Sequence, residues 1–412
     1  MNDDFISAYM EYVGLDTSEA PAIYHRWTCV SIIAALLGRQ VHIPFGHSII
    51  YPNHYMMLMG EPGARKGSAM GIGKHLLKKV GYGRFAADKT SKERFLMDMK
   101  QIDVSPGDAI EEFEMLSFEE PAETYIMSGE FTDFIGQNNM EFVTMLTNLW
   151  DNLPEYSQPK ITGKSVKVEK PTVNLLGANT VQGFTLAFPP EALGNGFLSR
   201  MIMVYGEATG VKVAWPAPPD PMFTELLVHH MKDIAQTIKG EMTVSKDAYN
   251  LAEVIYAKQI PVDDPRFSHY DTRRHTHLLK LSMIIAASEL QTIIQTKHMI
   301  RANTMLAAAE KRMPLALGEY GKSKHSDVAN AILQFLSKKI LPVQPTEIYK
   351  HVFRDLPKQS ELAEVLAGLK MAEKVQVTQV KGKTGYMIHH RPVVQWPDEL
   401  LDMDWLTESE RI

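Results

Sequence analysis

The residues with the clearest chemical potential are Gly60, Glu61, Pro62, Gly63, Ala64, Arg65, Lys66, Gly67 and Ser68. They follow the apolar run Tyr55–Met59 and lead into a helical pattern. Glycines let a backbone curl until successive N–H groups point inward at an anion, and the start of a helix adds its positive dipole end. A lysine on such a loop reaches the terminal phosphates of a nucleotide, and a nearby hydroxyl holds magnesium. The segment reads as a cradle for ATP and Mg2+, with Lys66 as the phosphate lysine and Ser68 as the candidate metal ligand. Against the pattern G-x-x-x-x-G-K-[ST], Gly60 and Lys66 are in place. Arg65 stands at the second glycine, Gly67 at the hydroxyl position, and Ser68 one residue late. A Gly/Pro turn ahead of a basic helix fits the same residues.

Hydrolysis also requires a carboxylate at the end of a neighbouring strand. The stretch TYIMSGE, residues 124–130, ends in Glu130, with Gly129 where an aspartate commonly precedes such a glutamate. Capping of the following helix is the alternative role for Glu130.

These residues need elements to hold them. Ala20–Leu37 has helical spacing, and Val41–Ile43 is extended up to Pro44. Strand-like runs recur at Tyr55–Met59, Thr124–Met127, Val173–Leu176 and Met201–Tyr205, with helical patterns between them. Such alternation predicts a largely parallel sheet covered by helices. The Pro-rich stretch Trp215–Pro221 marks a boundary, and residues 222–318 are helical by period, best at Arg273–Ser288 and Lys297–Lys311. Beyond a Gly/Lys/Ser break, three helices (Asp327–Lys338, Pro345–Phe353, Ser360–Ala372) precede two strands (Val375–Lys381, Tyr386–His390). That is the order of a winged helix. The expected organisation is an N-terminal helical region (1–50), an α/β P-loop NTPase core of AAA+/RecA-like type (51–215), a helical lid (222–318), a winged-helix domain (325–391) and an acidic tail (396–412).

The order GEPGARK, YIMSGEF, VNLLGANT, GFLSRMIMVYGE resembles that of the P-loop helicase-like ATPases of phages and mobile elements, which are related to replicative helicases. The likeness spans residues 20–315. It implies that Lys66 binds phosphate, that Glu130 orients the attacking water, and that Asn179 senses the γ-phosphate. It further implies that Arg200 reaches the nucleotide of a neighbouring subunit, hence a ring, most simply a hexamer. Arg273 or Arg274, at the start of the helix RRHTHLLKLSMIIAA, would contact nucleotide from the lid, with an ordinary helix-start role as the alternative.

DNA is the expected partner. The segment SQPKITGKSVKVEKP carries Lys160, Lys164, Lys167 and Lys170, with Thr162-Gly163-Lys164 as a turn between short strands, a form suited to a pore loop that neutralises backbone phosphates. An outer-surface hairpin guarded by lysines is the alternative. In the winged helix, the third helix would enter the major groove while Lys381 and Lys383 on the wing contact phosphate, although Glu361 and Glu364 on that helix oppose DNA. This region has an excess of Lys and Arg over acids, whereas the whole chain carries a net charge of −6. His269, His275 and His277 lack the partner set of a metal site. The acidic tail, which mixes Leu, Met and Trp with carboxylates, is either a docking peptide for a basic replication partner or a disordered solvating end.

The 412 residues allow two or three domains, and the single cysteine, Cys29, permits no internal disulfide. The start MNDDFISAYMEY lacks the basic-then-apolar pattern of a leader, and no run of about 18 apolar residues occurs. A cytoplasmic protein that meets no membrane is expected. The combined expectation is an ATP-driven DNA translocase or helicase in phage or mobile-element replication. Two other readings stay open: an ATPase that loads or remodels a replication protein without unwinding, and a DNA-binding scaffold with a decayed site, which Arg65 and Gly129 favour.

Overall fold

The computed structural model describes residues 4–16, 19–100, 121–158, 166–188, 196–318, 324–339, 341–354, 356, 358–371, 374–380, 383–388 and 395–411. The chain forms two compact units, one made of Met1–Gly318 together with Trp396–Ile412, the other of Glu319–Gln395. The regions 1–50, 51–215 and 222–318 thus lie within one unit.

In that unit, α1 (Phe5–Asp16) and α2 (Ala22–Leu37) lead into a hairpin of β1 (Val41–Phe45) and β2 (Ser48–Ile50). Helix α2 is buried on nearly every side, including Arg26, Thr28 and Ser31, as expected of a helix apolar all round. The strand β3 (Tyr55–Met59) follows, then α3 (Lys66–Val80) and α4 (Lys92–Met99). Gly73 lets α3 lie close on α2, because a Cβ there would sit 2.6 Å from Thr28 Cγ2.

Next come β4 (Glu123–Ser128), α5 (Phe131–Ile135), α6 (Met140–Trp150), the hairpin of β5 (Glu155–Gln158) and β6 (Val166–Glu169), β7 (Thr172–Asn179), α7 (Val181–Ala187) and β8 (Met201–Tyr205). Strands β4, β7, β3 and β8 form, in that order, a four-stranded sheet whose neighbours are all parallel. The expected α/β architecture with a parallel sheet is present. Every residue of β3 and β7 is buried, which accounts for their continuous apolar runs in place of alternation.

The remaining helices of this unit are α8 (Pro221–Thr237), α9 (Lys246–Ala257), α10 (Ser268–Asp271), α11 (Arg274–Ser288), α12 (Thr296–Glu310) and α13 (Met313–Leu317). The short strand Gly240–Glu241 pairs in parallel with Val41–His42, and α11 packs on α2. The block 222–318 is therefore stitched to the N-terminal region. Among the described residues no helix is long and apolar enough to cross a membrane.

Residues 396–411 pack onto this unit. Arg26 donates from Nε to Glu410 at 2.8 Å and from Nη2 to Trp405 O at 3.0 Å, with its guanidinium 4.6 Å from the Trp405 ring. Trp405 Nε1 donates to Asp4 at 3.1 Å, Arg301 Nε to Asp402 at 3.1 Å, and Asn303 Nδ2 to Leu400 O at 2.9 Å. This corrects the expectation of a solvating end: the tail's Trp405, Asp402 and Glu410 are engaged with their own chain.

The second unit contains helices Lys324–Ser337, Pro345–Val352 and Gln359–Met371, then the antiparallel strands Val375–Val380 and Lys383–Ile388. Val328, Ile332, Leu336, Ile348, Val352, Leu362, Leu366 and Val375 share its core. Three helices followed by a hairpin is the order expected from the sequence.

Two stability effects follow. Glu410→Ala strands the buried Arg26 guanidinium, and urea denaturation should show a loss of about 3 kcal/mol. Burial lowers the His25 pKa to about 4. The unfolded state then binds more protons than the folded one between about pH 6.5 and 4, so stability falls on acidification through that window by up to about 3 kcal/mol. Thermal melts across this range should show that slope in the wild type and a shallower one in His25→Phe.

Candidate active site

Three of the residues singled out in the sequence meet at the carboxyl edge of the sheet. Met59 is in register with Asn179 on one side and Tyr205 on the other, and Ser128 pairs with Gly177. The loop after β3, the end of β7 and Glu130 just past β4 therefore share one edge. Successive strands depart from β3 and from β7 in opposite directions across the sheet, and ligands of open α/β sheets bind in the crevice at such a switch point.

The loop is held from below. Tyr24 on α2 directs its hydroxyl at Met59 O (2.6 Å) and Gly206 O (2.8 Å), tying the exits of β3 and β8 together. A side chain at Gly60 would collide with that hydroxyl and with Gly206 O. Gly63 has φ +84° and Arg65 φ +60°, the left-handed region. A residue with a Cβ is strained in that region by about 1–2 kcal/mol. Arg65 is anchored by an ion pair to Glu19 at 2.6 Å.

Lys66, the first residue of α3, folds back over the loop and donates to Gly60 O (2.8 Å) and Glu61 O (3.0 Å). Partial burial lowers its pKa, opposed by the charges of Glu130 and Glu61. Glu61, Pro62, Gly63, Gly67 and Ser68 are exposed, while Ala64 is buried beneath them. Glu130 occupies the position before α5 and its side chain makes no capping bond. Asn179 is buried; its Oδ1 accepts from Thr132 Oγ1 (3.1 Å) and Thr180 N (3.2 Å), and its Nδ2 has no hydrogen-bond partner.

Among the described residues there is no group of three or more His, Cys, Asp or Glu that could hold a metal, so an all-protein cage is not formed. Magnesium commonly binds one or two protein groups together with phosphate and water. Ser68 and Glu130, both exposed at this edge, fit that lesser demand.

Arg200 lies elsewhere. It precedes Met201, which pairs with Tyr55, the first residue of β3. It is therefore at the amino edge, separated from the loop by the length of the strand, about 13 Å. There it donates to Asp151 at 2.6 Å and Gly196 O at 3.0 Å. Arg273 joins it, donating to Ser199 Oγ at 3.1 Å, whereas Arg274 is buried against Glu310 (2.7 Å) and Asn303 (3.0 Å). Of the two alternatives for these arginines, Arg274 takes the ordinary one at its helix start, and neither lies at the edge that carries the β3–α3 loop. The tertiary fold sends Arg273 to the far edge and makes Arg274 a structural ion pair.

Lys167 lies on β6 and pairs with Glu155 (2.8 Å) and Glu169 (3.3 Å), so its charge is already matched within its hairpin. Lys160, Lys164 and Lys381 fall outside the described residues. Lys383 begins the last strand of the second unit. Tyr24, Glu19, Trp150 and Asp151 escaped sequence reasoning, because no motif marks residues that act through contacts far away in the chain.

Gly60→Ala should unfold the loop or displace Tyr24. Limited proteolysis and near-UV circular dichroism of this variant should show the disturbance, whereas Gly67→Ala, where a Cβ meets nothing within 4 Å, should leave both unchanged.

No protein-family model matches the chain and no curated protein is similar to it, so the chemistry of the site itself must support any functional reading.

Proposed function

We propose that the chain is a P-loop ATPase that acts on DNA as a ring, with the second unit serving as a winged helix. The observation that carries this reading is the convergence of Lys66, Glu130 and Asn179 around the β3–α3 loop at one edge of a parallel sheet. Backbone N–H groups of the loop and the start of α3 would hold the phosphates, and Lys66 would exchange its two loop carbonyls for β- and γ-oxygens. Glu130, uncommitted to a helix cap, would orient water for in-line attack on the γ-phosphorus. Asn179 would donate its unpartnered Nδ2–H to the γ-phosphate or to that water. Magnesium, held through Ser68 and Glu130, would neutralise phosphate charge. Arg200, turned away from its own loop, fits a role at the loop of an adjacent copy, where a cation stabilises the charge of the transition state. Such an arrangement makes turnover depend on assembly.

ATP turnover measured with and without single-stranded DNA, together with a strand-displacement assay, tests the reading. Lys66→Ala should abolish nucleotide binding, and Glu130→Gln should keep binding while lowering kcat by about 100-fold or more. Gly67→Ser has open space for its hydroxyl and should raise turnover. Equal turnover in the wild type and Lys66→Ala would refute the motor.

A further inference from the structure

Among the described residues, the amino edge of the sheet gathers Arg200, Arg273 and Lys280 around the Trp150 ring. Arg200 and Arg273 place their guanidinium carbons 5.6 and 5.7 Å from the centre of the Trp150 ring, and Lys280 Nζ lies 4.2 Å from it. Asp151 faces them, 2.6 Å from Arg200 and 3.8 Å from Arg273. Lys280, fully buried, donates to Asn53 O at 2.9 Å and to Asn53 Oδ1. Among the described residues, Asp151 is the carboxylate paired with the two arginines, and the Lys280 amine lies on the other contacts of Trp150 and Asn53. Burial lowers the pKa of both Arg273 and Lys280; the charge of Asp151 opposes the effect in each case and that of Arg200 adds to it. Arg200 Nε is buried with no hydrogen-bond partner, as are Trp150 Nε1 and His277 Nδ1 close by. Only Arg273 and Asp151 are substantially open to solvent, with side chains 34% and 37% exposed against 10% for Arg200.

We propose that this cluster is an anion-receiving site for a phosphate group, in which Arg273 acts beside Arg200 and Asp151 is a removable counter-ion. An incoming phosphate meets Arg273 first, displaces Asp151 from the pair, and accepts from the Arg200 Nη2 that now bonds Asp151, beside the Nη1 bond to Gly196 O. Phosphate suits the fork geometry of two guanidinium groups. Trp150 keeps the two forks side by side while Asp151 is released. The source of the phosphate is the nucleotide on the loop of an adjacent copy; this assignment rests on the ring reading above, whereas the anion site itself does not. A nucleic-acid backbone offers the same chemistry, and the test separates the two.

Full-length Lys66→Ala protein, whose own loop is disabled, is titrated with inorganic pyrophosphate while tryptophan emission is followed, with Trp150→Phe identifying the signal. A saturable response is expected, lost when Arg273→Ala is added and strengthened several-fold by Asp151→Asn, because the competing carboxylate is gone. Absence of any response, or one indifferent to Arg273, overturns the site. If Asp151 is only structural, Asp151→Asn lowers the melting temperature and leaves pyrophosphate affinity unchanged. In the second arm, Arg273→Ala alone should lower kcat by about 100-fold with little change in KM. Subunits carrying Arg200→Ala and Arg273→Ala are then mixed with Lys66→Ala subunits, and ATP turnover should reappear in the mixture, since each kind supplies what the other lacks. A pyrophosphate response without this rescue, accompanied by competition from single-stranded DNA, would reject the neighbouring nucleotide as the source. A wild type that turns over no ATP would refute the proposed function and leave the pyrophosphate result to decide the anion site.

Discussion

One tyrosine hydroxyl fixes the geometry on which the candidate site depends. Tyr24 reaches from a buried helix to the last carbonyl of β3 and to the carbonyl just past β8. This aligns the exits of two adjacent strands and leaves no room for a side chain at Gly60. The loop curls over that contact, Lys66 bridges its carbonyls, and α3 starts where the left-handed Arg65 redirects the chain. Buried backbone carbonyls need partners, so the same bonds that satisfy the strand ends also set the shape of the cradle.

The two edges of the sheet differ in what they lack. The carboxyl edge has an unpartnered amide nitrogen on Asn179 and a carboxylate on Glu130 that makes no capping bond. Among the described residues, the amino edge has two arginines sharing one carboxylate and a buried guanidinium nitrogen, Arg200 Nε, with no hydrogen-bond partner. Both edges are incomplete in the sense that buried polar groups ordinarily find partners. An anion from an adjacent copy would satisfy the second edge, and a triphosphate would satisfy the first.

The C-terminal segment shows how charge and packing compete. By composition it is either a docking peptide or a solvating end. In the fold, Arg26, Arg274 and Arg301 on buried helices need counter-charges and flat apolar cover, which Glu410, Asp402, Trp405 and Trp396 supply. The second unit is consequently an insertion, with chain of the first unit on both sides of it.

Much of the architecture is legible in the sequence. Continuous apolar runs located β3, β4, β7 and β8 within a residue or two at most ends, because a strand buried on both faces has no polar side to interrupt it. The helix starts at 274 and 296 and the helix–helix–helix–hairpin order of the second unit were legible for similar reasons of period and turn chemistry. The β3–α3 loop and the lysine at the start of α3 were readable because their residues are contiguous in the chain. What the sequence could not determine was set by packing between distant segments. The strand order, the sharing of one edge by Glu130 and Asn179, the grouping of Arg200 with Arg273 and Asp151, and the docking of the tail all join residues tens to hundreds of positions apart. Charge pattern along the chain could not give the partners of Lys167 and Arg274 or the docking of the tail, since it records neither burial nor the partner that the fold brings into reach.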